Sequence, residues 1–175
     1  MAKGEKWKAI HSSKRMNWGT PRELFDKLDK EFNFKLDAAA DDSNHRCDRY
    51  LTEFEDSLNQ PKGKWSELSA GGSVWLNPPY GRSIGSWIDK AILESREGCR
   101  VVVLVFACTD TRWFKRAWAS ATEVRFIHGR IRFIDPDTGE PGSPAPKGSC
   151  ILIFEKPSRE HFAYPRLPIC SILEM

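Results

Sequence analysis

No apolar run in the chain approaches the roughly 18 residues that a membrane-spanning helix requires. The first residues are basic and polar and lack the apolar centre of a secretory signal, so a cytoplasmic protein is expected. The five cysteines (47, 99, 108, 150 and 170) are odd in number and form no C-x-x-C pair, which indicates reduced thiols that hold no metal. The four histidines make no H-x3–5-H pair, and no metal site is expected. Neither G-x-G-x-x-G nor G-K-[ST] occurs, which argues against dinucleotides and nucleoside triphosphates. Ser12, Ser13 and the histidines form no nucleophile–base arrangement, so covalent catalysis has no support. Repeats, heptads and low-complexity tracts are missing too, and 175 residues point to one domain with one substantial core.

What is present is an ordinary globular composition, 40% hydrophobic and 29% charged, with a net charge of +3. The charge is unevenly spread. Residues 1–20 hold five cations and one anion, and a flexible basic arm is expected over 1–17. Residues 22–58 carry six basic and eleven acidic side chains, whereas residues 96–132 carry eight basic and three acidic. An acidic region suits a cationic ligand and basic regions suit phosphates, ordinary solvated surface being the alternative for each.

The stretch Gly72–Tyr80 organises the rest. A short apolar strand, 74–77, runs into the step Asn77-Pro78-Pro79-Tyr80. Proline fixes φ, removes a donor and extends the residue before it, so Asn77 is held at the carboxyl end of a strand, where open α/β sheets place ligands. The Asn77 amide, the Pro78 carbonyl and the Tyr80 ring suit a planar group bearing an NH2; a turn in which Asn77 bonds its own backbone is the plainer reading. Upstream, Thr20 is expected to cap and Pro21 to start a helix reaching about Glu31, followed by strands at 34–37 and 50–52. Downstream come a helix over 83–95, a buried strand over 101–106, a helix over 111–120, and strands at 124–127 and 150–154. Between the last two lies a Pro/Gly-rich segment, 135–148, a candidate functional loop, and the tail from Pro157 is expected to be extended or frayed. This alternation predicts an α/β protein with a mostly parallel sheet and an antiparallel end strand.

Trp18–Pro21, Asp37 and Asp56 are the ligand-binding candidates. Asp37 has the chemistry to accept from an amino acid's ammonium, and Asp56 from an exocyclic amine or ribose hydroxyl; a helix N-cap is the alternative for Asp37, and a cap or a solvated charge for Asp56. Within Gly129-Arg130-Ile131-Arg132-Phe133, the arginines suit phosphates, and Phe133 is either a platform for a base or a core residue. Asp135–Glu140 fails the spacing of a calcium loop and reads as a surface turn.

Asn-Pro-Pro-Tyr is the signature tetrapeptide of amino-group methyltransferases that use S-adenosylmethionine. Together with Trp18-Gly19-Thr20-Pro21, Phe34–Ala40, Glu55–Leu58 and Gly129–Phe133, in that order, the chain resembles the phage-type DNA N6-adenine methyltransferases over residues 16–156. The resemblance implies a Rossmann-like methyltransferase domain over 18–156 with helices on both faces of its sheet, and a C-terminal tail over 157–175. It implies S-adenosylmethionine as cofactor, double-stranded DNA as partner, and a bacterial host's cytoplasm as compartment. Asn77, Pro78, Pro79 and Tyr80 would be catalytic; Trp18, Thr20, Pro21, Asp37, Ala38 and Asp56 would bind the cofactor; Arg130, Arg132 and Phe133 would bind substrate. The chain departs from the wider superfamily in having Leu36-Asp37-Ala38-Ala39-Ala40 where a glycine-rich motif is usual. An RNA-amino or protein-glutamine methyltransferase, or a catalytically silent DNA-binding relative, are the competing readings.

Overall fold

Six strands form one sheet in the order β1-β2-β3-β5-β4-β6 in the computed structural model, which describes residues 18–156 and 167–174. The elements follow the chain as α1 (Arg22–Phe32), β1 (Phe34–Asp37), α2 (Lys64–Leu68), β2 (Ser73–Leu76), α3 (Ile84–Arg96), β3 (Arg100–Phe106), α4 (Arg112–Ser120), β4 (Glu123–Ile127), β5 (Ser149–Phe154) and β6 (Ile169–Leu173). The basic arm expected over 1–17 lies outside the described residues.

Alternation along the strands sorts the core into two faces. Val74 and Leu76 of β2 with Val101, Val103 and Val105 of β3 meet Trp65 of α2, Trp87, Ile88 and Ala91 of α3, and Phe114 and Ala117 of α4. Trp75, Val102 and Leu104 face the other way, against Leu24, Phe25, Leu28 and Phe32 of α1 and against Ile131, Phe133 and Ala145 of the segment between β4 and β5. Helices therefore cover both faces, as expected. Helix α1 stops where Asn33 turns left-handed (φ 52°) and Asp29 takes the Phe34 N–H at 2.7 Å.

The sheet is mostly parallel, but its antiparallel member is internal. Pairs β1–β2, β2–β3 and β4–β6 are parallel, and β5 runs antiparallel between β3 and β4, from Val101↔Phe154 to Phe106↔Ser149. The expected end strand is thus a middle strand. Part of the tail expected to fray is instead β6, which extends the sheet beside β4.

Three local expectations also change. Residues 50–52 do not form a strand; Tyr50 makes a single bridge to Asp37, with Leu51 N–H donating to the Asp37 carbonyl at 2.9 Å. The polar stretch before β2 contains the short helix α2, which sequence periodicity is too brief to show. Thr20 does not cap α1: Pro21 takes the cap position with ψ 135°, no side chain caps there, and Thr20 is buried.

Candidate active site

Beyond the carboxyl ends of β1 and β2 the sheet opens into a cleft of about 560 Å³, within the range of ligand pockets. Asp37 closes β1, and Asn77 follows the last residue of β2. Phe106 ends β3, the next strand along. Trp18, Thr20, Asp37, Asp56, Asn77 and Pro79 all line the cleft, joining residues far apart in the chain. Pro21, Ala38, Pro78 and Tyr80 do not reach it. Ala38 is fully buried, its N–H bonded to the Trp75 carbonyl at 2.9 Å, and its neighbours Ala39 and Ala40 form the wall in its place.

The Asn77 amide is fixed from both ends. Its Nδ2 donates to the Trp18 carbonyl at 2.8 Å, which leaves Oδ1 to accept from the Tyr80 hydroxyl at 3.2 Å. That hydroxyl also lies 3.3 Å from the Leu104 carbonyl, and burial holds the phenol far above its ordinary pKa, so it stays a donor. The amide therefore does not turn back on its own backbone. The Tyr80 ring stacks on Phe106 at 4.4 Å between centroids, and Phe133 meets both rings edge-on at 5.8 and 6.2 Å.

Trp18 is held by the loop that the sequence singled out. Gly19 and Ile134 exchange both backbone hydrogen bonds at 2.9 Å. Gly142 lies so close to the Trp18 ring that an added Cβ would sit 2.7 Å from it. The loop is thus a buttress for Trp18, and through Trp18 for the Asn77 amide.

Asp37 is 3% exposed and accepts backbone N–H bonds from Ala39 (3.3 Å) and Arg46 (3.0 Å), so it caps no helix. Desolvation outweighs those bonds and raises its pKa to about 6. Asp56 is exposed at the rim in a left-handed conformation (φ 47°) and accepts from the Asn59 amide at 2.7 Å. It follows a turn rather than the strand expected before it.

Arg130 and Arg132 point outward while Ile131 and Phe133 point in. Their guanidinium groups lie 3.4 Å from the Ala145 and Gly142 carbonyls and outside the cleft. Phe133 is a core residue, 5% exposed, that reaches the site only through Tyr80 and Phe106.

Sequence reasoning passed over Phe106 and Arg46. Phe106 was legible as the last residue of a buried strand, but not as a neighbour of Tyr80. Arg46 sits in a turn that Asp41 knots together, taking the Ser43 N–H (2.8 Å), the Asn44 N–H (3.1 Å) and the Asn44 amide (2.8 Å). Its guanidinium donates to the Thr20 carbonyl, and burial pulls its pKa below the usual range. Its only sequence signal was a cation inside the most acidic segment. Burial pushes the Cys47, Cys99 and Cys150 thiols up to about 12, so these three offer no thiolate. Among the described residues no cluster of three or more His, Cys, Asp or Glu is placed to hold a metal ion, and no helix is long and apolar enough to cross a membrane.

The family of DNA N-6-adenine-methyltransferases (Dam) matches residues 8–171, which reaches into β6. The chain is 30% identical over 155 residues to a protein named DNA N-6-adenine-methyltransferase from Escherichia phage T1; the match covers 79% of this chain and 62%, under two thirds, of that protein. It is also 30% identical over 142 residues to the protein of the same name from Haemophilus phage HP1 (strain HP1c1), covering 79% of this chain and 78% of the relative. With the family's pattern spanning nearly the whole chain and Asn77 and Pro79 of the Asn77-Pro78-Pro79-Tyr80 step lining the cleft, this chain belongs to the DNA N-6-adenine-methyltransferase (Dam) family.

Proposed function

We propose that this chain transfers the methyl group of S-adenosylmethionine to N6 of an adenine swung out of double-stranded DNA, on a Rossmann-like methyltransferase scaffold. One observation carries the reading: the Asn77 amide is locked with its oxygen toward Tyr80, beside a cleft walled by four carboxylates. The cofactor supplies a methyl group on a positively charged sulfonium, which suits the carboxylates of Asp37, Asp41, Glu53 and Asp56. The cleft volume suits a ligand of nucleoside size joined to an amino acid.

Each residue then has a task. Adenine inside a duplex is out of reach, and extruding it costs a few kcal/mol. The free lone pair of Asn77 Oδ1 accepts one N6 hydrogen and the Pro78 carbonyl accepts the other, turning the nitrogen lone pair out of conjugation and toward the methyl. Tyr80, packed on Phe106, is the wall against which the base lies, and its hydroxyl keeps the Asn77 oxygen aimed. Phe133 keeps those two rings in place. Trp18, Thr20 and Asp37 hold the methionyl part of the cofactor, with Pro21 behind Thr20, and Asp56 the adenosine part. Ala38 lies beneath the wall that Ala39 and Ala40 present. Arg130 and Arg132, exposed beside the loop, contact phosphates. Rate comes from positioning and electrostatics. The phage origin of both relatives supports the cytoplasm of a bacterial host as the compartment.

Incubating the protein with labelled S-adenosylmethionine and equal amounts of duplex DNA, RNA and protein tests the assignment. Label on adenine N6 of DNA, absent with Asn77→Ala, is the expected outcome. Label on RNA or on glutamine amides would reassign the acceptor. Cofactor binding without transfer to any substrate would leave a silent DNA-binding relative.

A further inference from the structure

Four carboxylates face the cleft and one cation, Arg46, stands among them. Among the described residues the Arg46 side chain makes one hydrogen bond, to the Thr20 carbonyl, and no ion pair; its Nε is buried and bonds to nothing. A guanidinium stripped of water on one side, with the Asp37 and Asp26 carboxylates nearby but none in hydrogen-bonding contact, has donors to spare for a further anion. Its position is not accidental to its turn. Asp41 knots residues 41–44, and the Arg46 N–H is tied to Asp37 Oδ2 at 3.0 Å. The backbone thus presents a buried carboxylate and an unpaired guanidinium side by side on one wall.

That pairing matches an α-amino acid zwitterion, whose ammonium and carboxylate are attached to the same carbon. We propose that Arg46 anchors the α-carboxylate of the methionyl portion of the cofactor while Asp37 takes its ammonium. The proposal rests on the reading of the cleft as the S-adenosylmethionine site and deepens it. Two carbonyls of the Trp18–Thr20 segment then serve opposite ends of the reaction: Trp18 orients the Asn77 amide, and Thr20 orients the carboxylate anchor. Arg46 touches the cofactor's tail and not the reacting atoms, so its effect is on affinity and register.

Calorimetric titration at pH 7.5 with S-adenosylhomocysteine, with its decarboxylated analogue and with 5′-methylthioadenosine decides the matter. The wild-type protein should bind S-adenosylhomocysteine about 10- to 100-fold more tightly than the decarboxylated analogue, the range of a hydrogen bond to a charged group. Arg46→Gln should lose that factor for S-adenosylhomocysteine, bind the decarboxylated analogue and 5′-methylthioadenosine as before, and recover in part as Arg46→Lys. Equal loss for all three ligands would make Arg46 a purely structural residue and overturn the proposal, as would no loss at all. If Arg46→Gln does not fold, the wild-type ratio between S-adenosylhomocysteine and its decarboxylated analogue still decides, and a ratio near one rejects the anchor. A wild-type protein that binds S-adenosylhomocysteine but shows no preference for the carboxylate refutes this proposal alone. One that binds none of the three refutes the cofactor reading with it.

Discussion

Among the described residues, two places where charge is buried are built on opposite plans. On the helical face, Lys90 and Glu94 are 6% and 0% exposed and pair at 2.8 Å. Glu94 also takes the N–H groups of Gly63 (3.1 Å) and Trp65 (2.9 Å), and Lys90 donates to the Gln60 carbonyl at 2.6 Å. That cluster is closed, since each charge has an opposite charge and backbone partners as well. At the cleft, Asp37 is nearly as buried yet accepts hydrogen bonds only from backbone N–H groups, and among the described residues Arg46 near it makes no ion-pair contact. A closed cluster fixes the chain between β1 and β2. An open one keeps unspent electrostatic capacity for a ligand, and it carries a carboxyl whose pKa has moved to about 6.

Breaking the closed cluster should have the largest effect. Removing one partner of a buried ion pair strands the other, so Glu94→Ala should lower stability by about 3–5 kcal/mol, read as a large fall in Tm. Replacing both, as in Lys90→Met with Glu94→Leu, should recover much of that loss, and a double variant no better than the single one would show that the backbone caps matter more than the pair. Asn77→Ala comes next. Transfer should fall about 10²–10³-fold, the range for losing one preorganised polar contact, with S-adenosylhomocysteine affinity within a few-fold and Tm nearly unchanged. Lost cofactor binding in a folded variant would put Asn77 on the wrong ligand.

The third test sharpens the contrast through pH. Asp37 gains a proton as pH falls through about 6, and a neutral carboxyl no longer attracts an ammonium. S-adenosylhomocysteine affinity should therefore weaken about tenfold between pH 7.5 and 5 in the wild type, and Asp37→Asn should be weak and flat across that range. A pH-dependent Asp37→Asn would move the titration to another group. The smallest effect belongs to the surface: Glu31 accepts from Arg125 with both Oε atoms, but it is 48% exposed, so Glu31→Gln should cost about 1 kcal/mol or less. A larger loss in chemical denaturation would mean that Arg125, which also lies over the Phe32 ring at 5.2 Å, is anchoring more than its own pair.

How much of this was legible in the sequence depends on the range of the forces involved. The strand–Pro–Pro step forecast Asn77 at a strand end because proline geometry is local, and the elements from α3 to β5 fall within a residue or two of expectation because their apolar periodicity is strong. Thr20 was misread as a cap because its neighbour Pro21 takes the cap position with an extended ψ. Residues 50–52 have strand-like composition but only the end of β1 to pair with, which allows one bridge. β6 has little periodic signal, since its partner β4 and its exposed Ile169 and Ile172 make it an edge strand. Ala38, Phe133 and the arginines at 130 and 132 came from a motif, and a motif does not say which way a side chain points. The Asn77–Trp18 contact, 59 residues apart, is pure tertiary structure.

The internal position of β5 has a consequence for the order in which the sheet can assemble. Strands β1 to β3 pair in sequence order, each with its predecessor, so that half can zip up as the chain is supplied. β4 has no hydrogen-bonded contact with any earlier strand and joins them only through β5, some twenty residues later. Until residues 149–154 arrive, β4 is a strand without a ladder. Folding should accordingly proceed in two stages, with amides of β2 and β3 protected before those of β4 and β6 in pulsed hydrogen exchange. Simultaneous protection across all six strands would indicate a single cooperative collapse.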